Sequence, residues 1–341
     1  MIPHNRPTLG VEEEQAALKV IRSCQLAQGP EVENFENEFC QFIGLPKGHA
    51  VAVSSGTAAL FLSLWVLGAH GGKVIFPSYV CSALRHAVGM INGQEYLVDV
   101  AQDSPNIDVH MIQKNNLNIT IVPHMYGIPV DLTDFQSTKI IEDCAQALGA
   151  KVNGKSVGLQ GTIGIYSFYV TKLMTTGGQG GMVVSKDKTL VDAVRDYREF
   201  DYRHDTKKRF NFQMTDLQAA IGREQLKKLP KFLARRSTIF DRYKQSGLEF
   251  LDVDHNNDKL SPVRYRAIVK TKNSKHMIES LASAGIQAII PTEDWELLGD
   301  PSLFPNAYRL TKETVSLPIY PSLSDQDVDI IISKIQHVDN K

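Results

Sequence analysis

The sequence predicts an α/β protein, with a large domain built on a mostly parallel central sheet over residues 1–226 and a smaller α+β domain over 227–341. Three observations carry this. Short β-rich runs alternate with helical stretches through the first half, the runs are nearly continuously apolar, and the texture changes after about residue 226. The expected strands are HAVAVS (49–54), GKVIFP (72–77), EYLVDV (95–100), ITIVPH (119–124), KIIEDC (139–144), GIYSFY (164–169) and GGMVVS (180–185). Apolar character on both faces suits a sheet covered on both sides. The helical stretches between them include GTAALFLSLWVLGA (56–69) and YVCSALRHAVGMI (79–91). In the C-terminal part, KFLARRSTIFDRYKQSG (231–247) reads as an amphipathic helix stopped by Gly247. PVRYRAIVK (262–270) alternates like a half-exposed strand, and KHMIESLASAG reads as a further helix. SLSDQDVDIIISKI carries a capping box at Ser324 and Asp327. Ligand sites in such folds favour the carboxyl ends of parallel strands and the crevice between domains.

With 37 basic against 38 acidic residues, no strong overall field draws the chain to nucleic acid or to an anionic membrane. No apolar run approaches a membrane span, and MIPHNRPTLGVEEEQ lacks the apolar region of a signal peptide, so cytoplasmic residence is the default expectation. Cys24, Cys40, Cys81 and Cys144 form no C-x-x-C pair and no cluster with histidine, which argues against structural zinc and iron–sulfur centres. They read as small buried hydrophobes, or as one cysteine lining a site.

Three stretches bear chemistry. In IYSFYVTKLMTTGGQGGMVV (165–184), Lys172 lies between an apolar run and a glycine-rich turn. Desolvation disfavours its ammonium form, and a neutral lysine is a nucleophile toward aldehydes. The bland reading is a lysine whose charged end reaches water from a strand end. SSGTAAL (54–60) follows a strand and opens a helix, so Gly56 and Thr57 are candidate phosphate binders, unless this is a plain capped turn. No G-x-x-x-x-G-K-[ST] stretch offers a P-loop instead. IIEDCAQALGA (140–150) ends an apolar strand on Glu142 and Asp143. A carboxylate there needs a partner: a ring-nitrogen proton, a metal or an arginine. No histidine cluster supports a metal; the bland alternative is a helix cap. Together, a phosphate cradle, an acid and a lysine are what pyridoxal phosphate requires.

With these motifs the sequence resembles the DegT/DnrJ/EryC1/StrS aminotransferases, which act mainly on nucleotide-linked keto sugars and have the aspartate aminotransferase fold (fold type I). The resemblance runs from AQGPEVENFENEFCQFIG (27–44) through SSGTAAL, VPHMYGIPVDL (122–132), EDCAQALGA, SFYVTKLMTTGGQGGMV and FNFQMTDLQAAIGREQLKKL (210–229) to SLPIYPSLSDQDVDIII (316–332). It implies that Lys172 binds the cofactor aldehyde, that Asp143 keeps the pyridine nitrogen protonated and that Gln146 lies near the ring. It implies further that Gly56, Thr57 and Ser167 hold the phosphate and that Asn211 reaches the phosphate of a partner subunit. A homodimer with shared active sites follows. The implied reaction passes an amino group from an amino acid, glutamate by analogy, to a keto sugar. Lys172 serves there as nucleophile and then as general acid and base. A dehydratase branch of the same fold generally has histidine in place of this lysine; a non-catalytic sensor or scaffold is the reading from another class.

The chain departs from the family in three places. PSYVC (77–81) puts Cys81 where an aromatic residue stacks on the cofactor ring, with Tyr79 two residues earlier. Gln213 stands where arginine is usual, and IIPTEDWELLGD (289–300) lacks the usual histidine-containing segment. The basic run RHDTKKRF offers Arg203, Lys207, Lys208 and Arg209 to a diphosphate, against the plainer reading of a solvated loop. His124 reads as a positioning or packing residue rather than a general base.

Overall fold

A computed structural model describes residues 1–114, 119–135, 139–253 and 257–338. Among the described residues, all seven expected strands enter one sheet. Its spatial order is Ala50–Val53, Gly181–Val184, Ile163–Ser167, Lys139–Asp143, Ile119–Pro123, Lys73–Pro77, Gln94–Val98. Five of the strands pair in parallel with one another, and Gly181–Val184 runs antiparallel to both of its neighbours, Ala50–Val53 at the sheet edge and Ile163–Ser167. The exception has a local cause: a parallel return needs a long crossover, usually helical, and the connection 168–180 contains no helix. That connection carries Lys172.

Helices cover the sheet. Gly56–Val66 follows the first strand, capped by Ser55, whose Oγ accepts from the Ala58 N–H at 3.1 Å. The helix expected over 79–91 begins only at Ala83. Tyr79 and Val80 are buried in the preceding turn, where the Ser78 N–H still bonds the Val98 carbonyl beyond the strand end. Tertiary burial overrides helix periodicity there. The helix expected over 231–247 is the second half of one 29-residue helix, Asp216–Lys244, with Pro230 inside it and a turn to Gly247 at φ 87° after it. A proline removes one N–H and kinks a helix, so sequence alone reads it as a start. Thr215 and Gln218 close a capping box at the true start.

This helix passes through residues 226 and 227 and serves two hydrophobic cores. Leu226 and Leu229 belong to the core around the large sheet. Ile239, Phe240 and Tyr243 belong to a second core, formed with the antiparallel pair Ala267–Lys270 and Thr314–Leu317 and the helices Ser274–Ser283 and Asp325–Val338. Of the expected capping box at Ser324 and Asp327 one half forms: Ser324 Oγ accepts from the Asp327 N–H at 3.1 Å, while the Asp327 carboxylate accepts from the Ser324 hydroxyl at 2.7 Å rather than from its backbone N–H. The N-terminal arm joins the second core: Ile2 bonds Gly285, which brings His4 and Asn5 beside the turn that holds Lys172. No helix among the described residues is long and apolar enough to cross a membrane.

Candidate active site

The carboxyl ends of Ile119–Pro123, Lys139–Asp143 and Ile163–Ser167 and the start of the helix Gly56–Val66 enclose a cavity of about 260 Å³. Gly56, Thr57, Asp143, Gln146, Ser167 and Lys172 all line it. Residues from three separate stretches thus converge where an open α/β sheet places its ligands.

Each wall has a local cause. Gly56 lets the helix start approach Ser167: a Cβ on it would lie 2.8 Å from the Ser167 Cβ. Ser55 caps the helix, and the first N–H groups, at Gly56 and Thr57, have no partner within it. Lys172 sits in a tight turn, its N–H on the Tyr169 carbonyl at 2.8 Å, between buried Phe168 and buried Leu173 and Met174. Its Nζ lies 5.5 Å from the centroid of the Tyr265 ring and makes no hydrogen bond among the described residues. Gln146 is anchored through Oε1, which accepts the Tyr126 N–H at 2.8 Å.

Glu142 and Asp143 face opposite ways, as neighbours on a strand do. Glu142 points away from the cavity, fully buried, and accepts four donors. These are Gly158 N–H (2.8 Å), Gln160 N–H (2.7 Å), Gly161 N–H (2.6 Å) and His124 Nε2 (3.0 Å). Burial pushes its pKa up, but the His124 hydrogen bond and the backbone N–H groups outweigh it and hold the group below the ordinary value. Asp143 is the contrasting case. Burial raises its pKa, and the Ala145 N–H and the nearby Lys172 offset this only in part. Its Oδ1 accepts from Ala145 at 2.9 Å, a cap on the following turn, while no second donor among the described residues reaches the side chain. A buried carboxyl with one free oxygen in a cavity is a receptor for a proton-bearing nitrogen.

His124 uses both ring nitrogens: Nδ1 accepts from the Val130 N–H at 3.0 Å, which leaves Nε2 to donate to Glu142. It therefore has no lone pair for general-base work. His124, Glu142 and Cys144 are close enough together to suggest a metal, yet these hydrogen bonds occupy the lone pairs a metal would need. Substituting Glu142 by glutamine is expected to strand two or more buried donors and to cost about 3–5 kcal/mol. Because the folded pKa is depressed, the stability Glu142 contributes is present above its unfolded pKa and lost as pH falls through the folded value. Thermal melts of wild type and E142Q at neutral and acidic pH check both points; equal melting temperatures at neutral pH would contradict them.

Other expected residues lie elsewhere. Asn211 is exposed, between Phe210 and Phe212, which pack on Phe61, and it is absent from the lining of its own chain's cavity. Tyr79 cannot take the ring-stacking place: it lies beyond the strand end, fully buried, and its hydroxyl accepts from that of Tyr126 at 2.9 Å. Cys81 lines the cavity and is exposed. The basic run is an exposed loop paired within the chain, Lys207 and Arg209 with Asp196 and Arg209 with Asp205. Gln213 bonds Glu199 at 2.9 Å. Sequence reasoning missed Gln179 and Tyr169 in the cavity wall, although both flank Lys172 in the glycine-rich stretch.

A profile of the DegT/DnrJ/EryC1/StrS aminotransferase family matches residues 7–336. The chain belongs to this family. Among its relatives, GDP-perosamine synthase of Escherichia coli O157:H7 is 31% identical over 98% of this chain and 97% of that protein. The dTDP-3-amino-3,4,6-trideoxy-alpha-D-glucose transaminase of Streptomyces venezuelae is 31% identical over 92% of this chain and 89% of that one. Among solved structures, S. venezuelae DesV in complex with a ketimine intermediate superposes with a TM-score of 0.88 at 29% identity, covering 97% of this chain and 95% of that one. This aminotransferase therefore has the fold its motifs imply, and pyridoxal phosphate is its cofactor. The cavity fits that group on three counts: a cradle that a Cβ at position 56 would fill, a half-paired buried carboxyl, and an amine with no hydrogen-bond partner.

Proposed function

We propose that this aminotransferase moves an amino group from an amino acid, L-glutamate being the donor to test first, onto a keto sugar carried on a nucleotide. The observation that supports this most is the convergence of Lys172, Asp143 and the Gly56–Thr57–Ser167 cradle on one cavity. When bound, pyridoxal phosphate supplies an aldehyde for Lys172 to hold and a ring that accepts the charge of a developing carbanion. The helix start at Gly56 and Thr57, with Ser167, binds its phosphate. Asp143 keeps the proton on the ring nitrogen, and this new partner offsets the burial that raises its pKa. Lys172, once released from the aldehyde, would hold at Nζ the proton that leaves the amino-acid α-carbon and would be the group that returns it to the cofactor carbon it had itself occupied. Gln146, in the cavity wall, would lie beside the ring. Asn211, exposed and outside its own cavity, would serve the phosphate of a partner subunit, and the working unit would then be a homodimer. The sugar substrate class is supported by the names of the perosamine synthase and trideoxyglucose transaminase relatives.

The test is the visible spectrum of the purified protein with pyridoxal phosphate, before and after L-glutamate. The expected result is a yellow band that bleaches with the donor and returns with a nucleotide-linked keto sugar. A band that no amino acid bleaches would contradict the proposal.

Cys81 gives a second check. Cys24 and Cys81 are exposed, whereas Cys40 and Cys144 are buried and burial pushes both thiols up. Two thiols are therefore expected to react quickly with a disulfide reagent in the cofactor-free protein, and one when the cofactor covers Cys81. Equal thiol counts in the two forms would show that the ring does not lie against Cys81.

A further inference from the structure

Beside Lys172, on the side of the second core, lies a group of cations with no carboxylate among them. Arg236, on the long helix, is 2% exposed. Its guanidinium reaches only backbone carbonyls, those of Tyr265 at 3.2 Å and Ile319 at 2.8 Å among them, and its Nε has no partner. Arg266 is half-buried and directs one amino group at His4 Nε2 (3.2 Å) and at Ser316 Oγ (3.4 Å). The Lys172 Nζ and the Arg266 guanidinium each lie 5.5 Å from the Tyr265 ring centroid. Among the described residues, none of these three cations takes part in an ion pair.

His4 does not add a fourth charge. Burial and then the charges of Arg266 and Arg236 push its pKa down to about 3, so Nε2 stays an acceptor for Arg266 and for the Ser316 hydroxyl at 2.9 Å. The arm that carries it is fastened to the turn of Lys172, Asn5 Nδ2 donating to the Thr171 carbonyl at 3.1 Å. The charge of Arg266 is also felt at Tyr79 and Tyr126, whose chain neighbours Val80 and Met125 line the cofactor cavity. Arg266 thus lies beside the same Tyr265 ring that the reacting lysine approaches. Unpaired guanidinium groups at this depth are costly, and an anionic ligand offsets that cost.

We propose that Arg266, held in place by His4 and Ser316, binds the α-carboxylate of the amino donor and of its keto-acid product. The inference rests on the aminotransferase reading above. A carboxylate is favoured over a sugar-nucleotide phosphate by reach. In an amino acid the anion is one bond from the carbon that exchanges nitrogen near Lys172, whereas a diphosphate sits on the anomeric carbon, several bonds from any other ring carbon that receives the amino group.

The test compares wild type with Arg266→Gln and Arg266→Lys. In the cofactor-loaded protein, R266Q is expected to raise the L-glutamate concentration that half-bleaches the band by about 10- to 100-fold, with R266K in between. The cofactor band itself should remain, which shows a folded site. In the cofactor-free protein, calorimetric titration with 2-oxoglutarate should give binding to wild type that R266Q loses. Unchanged half-bleaching and unchanged 2-oxoglutarate binding in R266Q would overturn the inference, as would a variant that loses affinity for inorganic pyrophosphate but not for 2-oxoglutarate. A wild-type band that no amino acid bleaches would count against the aminotransferase reading instead, and the calorimetric arm would still decide the anion site.

Discussion

Replacing Lys172 with alanine is expected to abolish the visible band and to lower turnover by at least about 10⁴-fold while leaving the protein folded. General acid–base catalysis alone contributes about 10²- to 10⁴-fold, and this side chain is also assigned the nucleophilic role, so both losses fall on one substitution. The structural cost is small by comparison. Lys172 is half-buried and its amine makes no hydrogen bond among the described residues, so alanine forfeits only the contact of its stem and its place near Tyr265, about 1 kcal/mol. Circular dichroism and a melting curve verify the fold, and single-turnover spectroscopy with L-glutamate reads the chemistry. Turnover near the wild-type rate in K172A would remove the lysine from the mechanism.

Asp143→Asn carries the second largest effect, and its sign differs between stability and activity. The carboxyl is buried, and its pKa is raised, chiefly by that burial. A carboxyl whose folded pKa lies above its unfolded value stabilises the fold fully only below the unfolded pKa, and that contribution is lost as pH rises through the folded value. Above the unfolded pKa this raised value works against the cofactor-free fold, and D143N is expected to melt at the same temperature or higher at neutral pH. Turnover should fall by about 10²- to 10³-fold, because an amide cannot supply the negative charge that keeps the ring nitrogen protonated. The neighbouring E142Q should do the reverse to stability, losing several kcal/mol (about 3–5) through its stranded donors. A D143N protein that melts well below wild type without cofactor, or that turns over normally, would contradict this account.

The two substitutions also mark what the sequence could and could not say. That strand Lys139–Asp143 ends at a crevice was legible from its apolar run, as were all seven strands of the sheet. Which of the two acids faces the cavity follows from strand alternation once the strand register is known. Lys172, Gly56 and Thr57 were legible because each lies in a short stretch whose residue types fit one chemistry, and Ser167 only through the family resemblance. The long helix was half hidden by Pro230, and the start of Ala83–Met90 by the burial of Tyr79, both effects of packing that a local pattern does not encode. Tyr265, Arg266 and His4 gave no signal. They reach Lys172 from far along the chain, through the second core and the N-terminal arm, and nothing in their own stretches marks them. The basic run shows the converse: its local pattern suggested a ligand, and the fold answers it with Asp196 and Asp205.

The central claim is that Lys172 holds the cofactor, and the most direct measurement is borohydride reduction of the loaded protein followed by mass analysis of its peptides. Reduction fixes the bond between the lysine amine and the cofactor carbon. The account predicts one modified lysine, in the peptide containing Lys172, and no modification of that peptide in a protein pretreated with L-glutamate. A yellow protein whose label falls on another lysine, or on none, would contradict it.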